Sequence, residues 1–242
     1  MKLMLHIVAG FPSLKESEQI ARTILKTGVE YLEVQIPFSD PIADGPVIVE
    51  ANQVAINKGT RTSDAFKIVE NLKKDFPNAK LLLMTYCNIL KQFGFEKFCK
   101  EARRVGSYGL IIPDIPIEEE ASTNYLALCK KNKLHAIQVV SPITPDKRLK
   151  KIARVASGFV YCVARFGVTG ASASVAPKIN SYLRRVRLSI KLPLAVGFGI
   201  SKRKDIETLK KQADIAVVGT QVIREFKKGG LTKVKSFCES LR

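Results

Sequence analysis

The sequence has no apolar run long enough to span a bilayer. Its longest runs are short, such as Leu81-Leu82-Leu83-Met84, against the roughly 18–20 residues that a transmembrane helix needs. Residues 1–8 carry one charge and read as a strand, with neither the apolar region nor the cleavage site of a signal peptide. The two histidines, His6 and His135, have no second ligand at metal-binding spacing, which argues against a zinc site. The five cysteines (87, 99, 129, 162 and 238) form no CxxC pair and are odd in number. Free thiols in a reducing, cytoplasmic compartment are expected. No linker, low-complexity tract or composition break divides the chain, so a single domain over 1–242 is expected.

Acidic residues are missing from one stretch. Residues 151–200 carry 8 basic and no acidic side chains, whereas residues 1–50 carry 4 basic and 7 acidic ones, within a net charge of +18. Such a field attracts nucleic acid, anionic membranes or phosphorylated metabolites. No RNP-like aromatic strand, zinc finger or basic heptad accompanies it. Neither nucleic acid nor membrane is expected as a partner, and a lysine-rich solvated surface is the plainest account.

Eight short strand-like runs are present, at 3–9, 31–36, 80–85, 109–112, 134–140, 159–163, 193–196 and 214–218. Segments with helical spacing lie between them, among them 14–28, 63–75, 117–131 and 179–188. The strands are mostly continuous apolar runs, as parallel strands buried on both faces should be. Eight strand–helix units in this length match a (β/α)₈ TIM barrel. The rival, a doubly wound sheet, would carry a glycine fingerprint after its first strand; Ala9-Gly10-Phe11-Pro12 does not fit it.

In a barrel, functional side chains stand where strands end and the following loops begin. Glu33 lies inside an apolar strand between Leu32 and Val34, and Asp44 follows eleven positions later in a Pro-rich loop. A buried carboxylate is costly unless it is paired or its pKa is raised, and a raised pKa suits an acid–base catalyst. Two accounts are open at this point. The pair works over one pocket, or Glu33 pairs with a core lysine while Asp44 caps a helix starting near Val47. Glycine turns follow the last three strands, at Gly167/Gly170, Gly197/Gly199 and Gly219, the last before a short helix near 221–226. Glycines there, with a helix N-terminus, are a common phosphate site in barrels. His6 and His135 read as satisfied core or pore histidines rather than catalysts, with no base or metal partner nearby.

The segment PFSDPIADGP after Glu33, with RFGVTG and GFGIS after strands six and seven, resembles the tryptophan synthase α subunit family over nearly the whole chain. The resemblance implies a (β/α)₈ barrel that cleaves indole-3-glycerol phosphate to indole and glyceraldehyde 3-phosphate. It implies Glu33 and Asp44 as catalytic residues, and Tyr86 and Tyr161 as pocket residues. Gly170, Phe198, Gly199, Gly219 and Thr220 correspond to the phosphate site. Asn88, Asp114, Arg165 and Thr169 correspond to rim or loop positions tied to communication between subunits. It further implies no metal or cofactor in this subunit, and a β subunit carrying pyridoxal phosphate in an αββα heterotetramer. The rivals are a phosphate-binding barrel with another substrate, such as a prenyl-transferring enzyme, and a weakened α-like barrel acting mainly as a binding partner. The sequence departs from the family pattern in several places. It opens on strand one, without the helix that usually precedes the barrel. Gln35 stands where glycine is usual, Phe11 and Phe166 replace polar residues, and Val49, Glu50 and Val54 alter a surface that the family turns toward its partner.

Overall fold

The computed structural model describes residues 1–163, 175–197 and 199–242, with backbone alone for 175–178. In chain order the first half comprises β1 (Lys2–Val8), α1 (Leu14–Lys26), β2 (Tyr31–Gln35), α2 (Pro46–Asn57), α3 (Thr62–Asp75), β3 (Lys80–Met84), α4 (Cys87–Phe93), α5 (Phe95–Arg104) and β4 (Gly109–Ile111). A 3₁₀ turn (Ile117–Glu119) leads into α6 (Glu120–Thr123), α7 (Tyr125–Lys131), β5 (His135–Val140), α8 (Asp146–Val155) and β6 (Val160–Val163). The chain closes with α9 (Val175–Ser189), β7 (Leu194–Gly197), α10 (Arg203–Leu209), β8 (Ile215–Val218) and α11 (Thr220–Ser240). The strands pair in sequence order, all parallel, and β8 pairs with β1 to close the barrel. All eight expected strands are present, within a residue or two of their expected ends. Among the described residues no helix is long and apolar enough to cross a membrane.

Strand alternation builds two cores. Leu3, Leu5 and Ile7 of β1, with Leu81 and Leu83 of β3, face outward and pack under the helices. Met4, Tyr31, Leu82, Met84, Ile111, Ile137, Phe159, Ala195, Ile215 and Val217 fill the inside of the barrel. Both faces are apolar, so the period of two is masked and the strands read as unbroken apolar runs. The helices present matching stripes. In α1, Ile20, Ala21, Ile24 and Leu25 are buried, and Ser13 starts the helix by accepting the Glu16 N–H.

The N-terminal end of the barrel is closed by aromatic rings around a lysine. Lys80 Nζ donates to the Tyr31 hydroxyl at 3.1 Å and lies 4.9 and 5.0 Å from the ring centres of Tyr31 and Tyr108. Phe159 meets Tyr31 edge to face at 5.7 Å. His135 joins this floor against Tyr108, with ring centres 4.4 Å apart.

One segment differs from expectation. The helix expected over 117–131 is broken at Asn124, which is left-handed (φ 50°, ψ 23°). Asparagine tolerates that region. The Glu120 carboxylate then accepts the N–H groups of Leu126 and Ala127 at 2.7 and 2.9 Å, so the side chain of the first residue of α6 caps α7.

Gly109 brings β4 and β5 together. A Cβ at Gly109 would lie 2.5 Å from the His135 carbonyl oxygen. Gly109→Ala is therefore expected to lower stability by about 1–3 kcal/mol, read as a fall in the urea midpoint. An unchanged midpoint would show that the two strands separate there without cost.

Candidate active site

The inner face of the barrel turns polar toward its C-terminal rim. In the register of β1 and β2, His6 stands beside Glu33 and Val8 beside Gln35. Alternation turns Glu33 and Gln35 to the same side as Tyr31, which is the inside. Glu33 and His6 are each 4% exposed, and His6 Nδ1 lies 3.3 Å from Glu33 Oε1. The partner of Glu33 is therefore a histidine and not the core lysine weighed from sequence. The reading of His6 as a histidine with no catalytic group nearby is corrected too. The signal that could have found the pair was a titratable residue on the inner face of each of two adjacent apolar strands.

Burial pushes the His6 imidazole down. The charge and hydrogen bond of Glu33, with smaller contributions from Asp44 and Gln35, outweigh this and raise its pKa above the ordinary 6.5. Among the described residues, Glu33 Oε2, His6 Nε2 and Gln35 Oε1 are buried without a hydrogen-bond partner. Unpartnered buried polar atoms are rare in proteins and call for an explanation at each site.

Asp44 comes back over the same space from the loop between β2 and α2. It does not cap the helix. The N-cap of α2 is Gly45, without a side-chain bond, and Pro46 takes the first helical position, where it needs no N–H. Asp44 Oδ2 instead accepts Gln35 Nε2–H at 2.7 Å and the Tyr86 hydroxyl at 3.0 Å. The loop is pinned at two further points. Ala43 N–H donates to Tyr86 Oη at 3.2 Å, and Phe38 N–H donates to Asn52 Oδ1 at 2.9 Å. Phe38 also stacks on Tyr86 at 5.1 Å. Asn52, absent from the sequence reading, is buried on α2. Burial pushes the Asp44 carboxyl above its usual range. The charge of His6 and the hydrogen bonds from Gln35 and Tyr86 pull it back in part, and Glu33 pushes it up again.

Tyr161 faces the two carboxylates from β6. Burial raises its phenol well above the ordinary value, and the charges of Glu33 and Asp44 add to this. Its ring lies over the neighbouring strand β7, where a Cβ on Gly197 would lie 2.9 Å from Tyr161 Oη. Glycine is the residue that leaves this room.

The later turns meet at the rim. Gly199 is left-handed at φ +62° with open space around it. Gly219 is the N-cap of α11, without a side-chain cap, and Thr220 is the first helical residue. A Cβ on Gly219 would lie 3.6 Å from His6 Cβ, so this helix start lies close to the Glu33–His6 pair. A helix start that no side chain caps presents N–H groups to an anion. Two rim residues stand apart from the carboxylates. Asp114 accepts Cys87 N–H at 2.9 and 3.1 Å, at the start of α4, and Asn88 is exposed in the same turn. Arg165, Thr169, Gly170 and Phe198 lie outside the described residues.

The His6–Glu33 pair predicts how stability varies with pH. The imidazole binds its proton more tightly in the folded state than in the unfolded one. Its stabilisation is therefore complete below pH 6.5 and lost as pH rises through the higher folded value. The fall in urea midpoint across that window should be steeper in the wild type than in Glu33→Gln, which removes the partner responsible. Parallel curves for the two proteins would contradict the pair.

Comparison with known proteins bears on the family and the fold. A sequence profile described as "Tryptophan synthase alpha chain" matches residues 1–240. The tryptophan synthase alpha chain of Syntrophotalea carbinolica is 42% identical over 240 residues, covering 99% of this chain and 94% of the relative. That of Desulfotalea psychrophila is 40% identical over 240 residues, covering 99% and 93%. Among solved structures, Mycobacterium tuberculosis tryptophan synthase superposes with a TM-score of 0.90 at 28% identity, covering 99% of this chain and 90% of that one. Tryptophan synthase subunit alpha from Campylobacter jejuni superposes with a TM-score of 0.87 at 31% identity, covering 100% and 95%. A profile match over almost every residue, with relatives this similar over nearly their full length, shows that the chain belongs to the tryptophan synthase alpha chain family.

Proposed function

We propose that this chain, one barrel domain acting in the cytoplasm, cleaves indole-3-glycerol phosphate to indole and glyceraldehyde 3-phosphate, with Glu33 and Asp44 as its catalytic residues. The observation that carries the assignment of residues is Glu33. It is a buried carboxylate inside the barrel, with Oε1 on His6 and Oε2 unpartnered, below a second carboxylate delivered by a pinned loop. In the reaction a proton is added to indole C3, and one is removed from the hydroxyl on the adjacent side-chain carbon. The C–C bond between them breaks, its electrons return to the ring, and an aldehyde forms. One carboxyl that gives a proton to carbon and takes one from oxygen ends as it began.

Positive charge develops on the ring nitrogen as C3 is protonated. Asp44 accepts that N–H; Gln35 and Tyr86 occupy its Oδ2, so Oδ1 is the oxygen that meets the indole. Tyr161 and Tyr86 line the pocket. The phosphate sits at Gly199, Gly219 and Thr220, where the start of α11 offers N–H groups, and Gly170 and Phe198 complete that site. Its binding energy positions a bond that breaks some distance away. No step calls for a metal or cofactor in this chain.

The partner in this reading is a tryptophan synthase β subunit holding pyridoxal phosphate, in an αββα assembly that receives the indole. Arg165 and Thr169, with Asn88 and Asp114 at the rim, belong to the communication between subunits. Exposed apolar residues around the catalytic loop support a contact there. Ile42, two residues before Asp44, is 82% exposed, and Val49 is 39% exposed.

The deciding experiment is indole release from indole-3-glycerol phosphate by the purified chain, with and without a β subunit. Glu33→Gln should lower the rate by on the order of 10²–10⁴ while the circular dichroism spectrum and substrate-analogue binding persist. Wild-type-like turnover by that variant would remove Glu33 from the role.

The phosphate site has its own test. A side chain at Gly199 would be strained by its φ of +62°, so Thr220→Asp is the cleaner probe. An acid at a helix start favours the helix yet repels phosphate. KM should rise roughly tenfold or more, about 1.4 kcal/mol per factor of ten, with an unchanged urea midpoint. Equal reaction of the dephosphorylated substrate would overturn the site.

A further inference from the structure

Two inner-face residues are left without a role by this chemistry. In the pattern that the sequence resembles, glycine follows the glutamate by two positions, and here the buried Gln35 stands there. Gln35 Nε2–H donates to Asp44 Oδ2 at 2.7 Å, while His6 Nδ1 meets Glu33 Oε1 at 3.3 Å. Each has one end to spare, since among the described residues His6 Nε2 and Gln35 Oε1 are buried without a partner. The bond to Asp44 fixes the amide, because a carboxylate accepts from its NH₂ end, which leaves Oε1 as an acceptor. A protonated imidazole donates from both nitrogens, and Nδ1 is the one that meets Glu33. Gln35 lies near enough to push the His6 pKa upward. The four residues thus form two pairs, His6 on Glu33 and Gln35 on Asp44, with Gln35 two positions after Glu33 on the same inner face of β2.

We propose that His6 is a positioning residue for the cleavage reaction: its Nδ1 holds Glu33 by Oε1, so that Oε2 is the oxygen that meets substrate, while Gln35 holds Asp44. This rests on the lyase reading above. The net traffic is one proton off the hydroxyl and one onto C3, both through Glu33 Oε2, so His6 ends each turnover in its starting state. The titratable groups facing the imidazole are Glu33 from β2 and Asp44 from the loop. Tyr161 faces the same carboxylates from β6. From the β8–α11 junction, among the described residues, Gly219 approaches and brings no charge.

Two histidines in the chain make the test direct. In an NMR titration one imidazole should titrate above 6.5 and move down in Glu33→Gln. The other, His135, is held below its ordinary value by burial and by Lys80 and should not move. In steady-state kinetics His6→Phe should lower kcat by on the order of 10²-fold, with a smaller change in KM. His6→Asn restores a donor in place of Nδ1–H without a titratable proton. It should recover most of the lost kcat, but without the alkaline limb that the wild type shows as the imidazolium loses its proton. An imidazole that titrates alike in wild type and Glu33→Gln would overturn the proposal. So would a His6→Phe enzyme with wild-type kcat and pH profile. If the imidazole moves as expected but the wild type releases no indole, the lyase reading falls and the positioning role falls with it, leaving the ion pair alone.

Discussion

Glu33 sits on the inner face of β2 with 4% of its surface exposed. A lone carboxylate taken out of water there would carry several kcal/mol of desolvation, and protonation would be its ordinary escape. The pairing of β1 with β2 supplies another. Because the strands are parallel and in the register His6↔Glu33, the one inner-face histidine of β1 stands beside the carboxylate. The apolar layers below and the helix shell outside fix that register. The chemistry at the rim therefore depends on packing that never touches substrate.

The second carboxylate is placed by different means. A loop rich in proline has few hydrogen bonds of its own, so its shape must come from anchors. Tyr86, at the end of β3, supplies one through its hydroxyl, which accepts Ala43 N–H and donates to Asp44. Asn52 supplies another by accepting Phe38 N–H while donating to the Ile48 carbonyl at 2.8 Å. Both anchors are buried side chains on rigid elements. The loop thus borrows its order from β3 and α2, and the distance between Asp44 and Glu33 is set by the scaffold.

Much of this was legible in the sequence. The eight strands were visible because two-sided burial writes each as a continuous apolar run, and the glycine turns marked where they end. Glu33 stood out as a charge inside such a run. The partners were not legible, because pairing across strands depends on register, which a run of Leu and Val does not specify. From the sequence alone His6 reads as a core or pore histidine for that reason. Asp44 looked like a cap because a helix begins just after it, yet Gly45 and Pro46 start that helix unaided. The break at Asn124 was hidden too, since one left-handed residue leaves the helical spacing on either side intact.

The ring of Tyr31, Tyr108 and Phe159 around Lys80 has a consequence beyond stability. It plugs the barrel at the end opposite the rim and makes the pocket a blind vessel. A small apolar product formed above that plug has no path downward through the strands. It must leave through the mouth by which the substrate entered, past the Asp44 loop and its exposed Ile42. The direction of traffic is thus decided by side chains at the far end of the barrel from the bond that breaks.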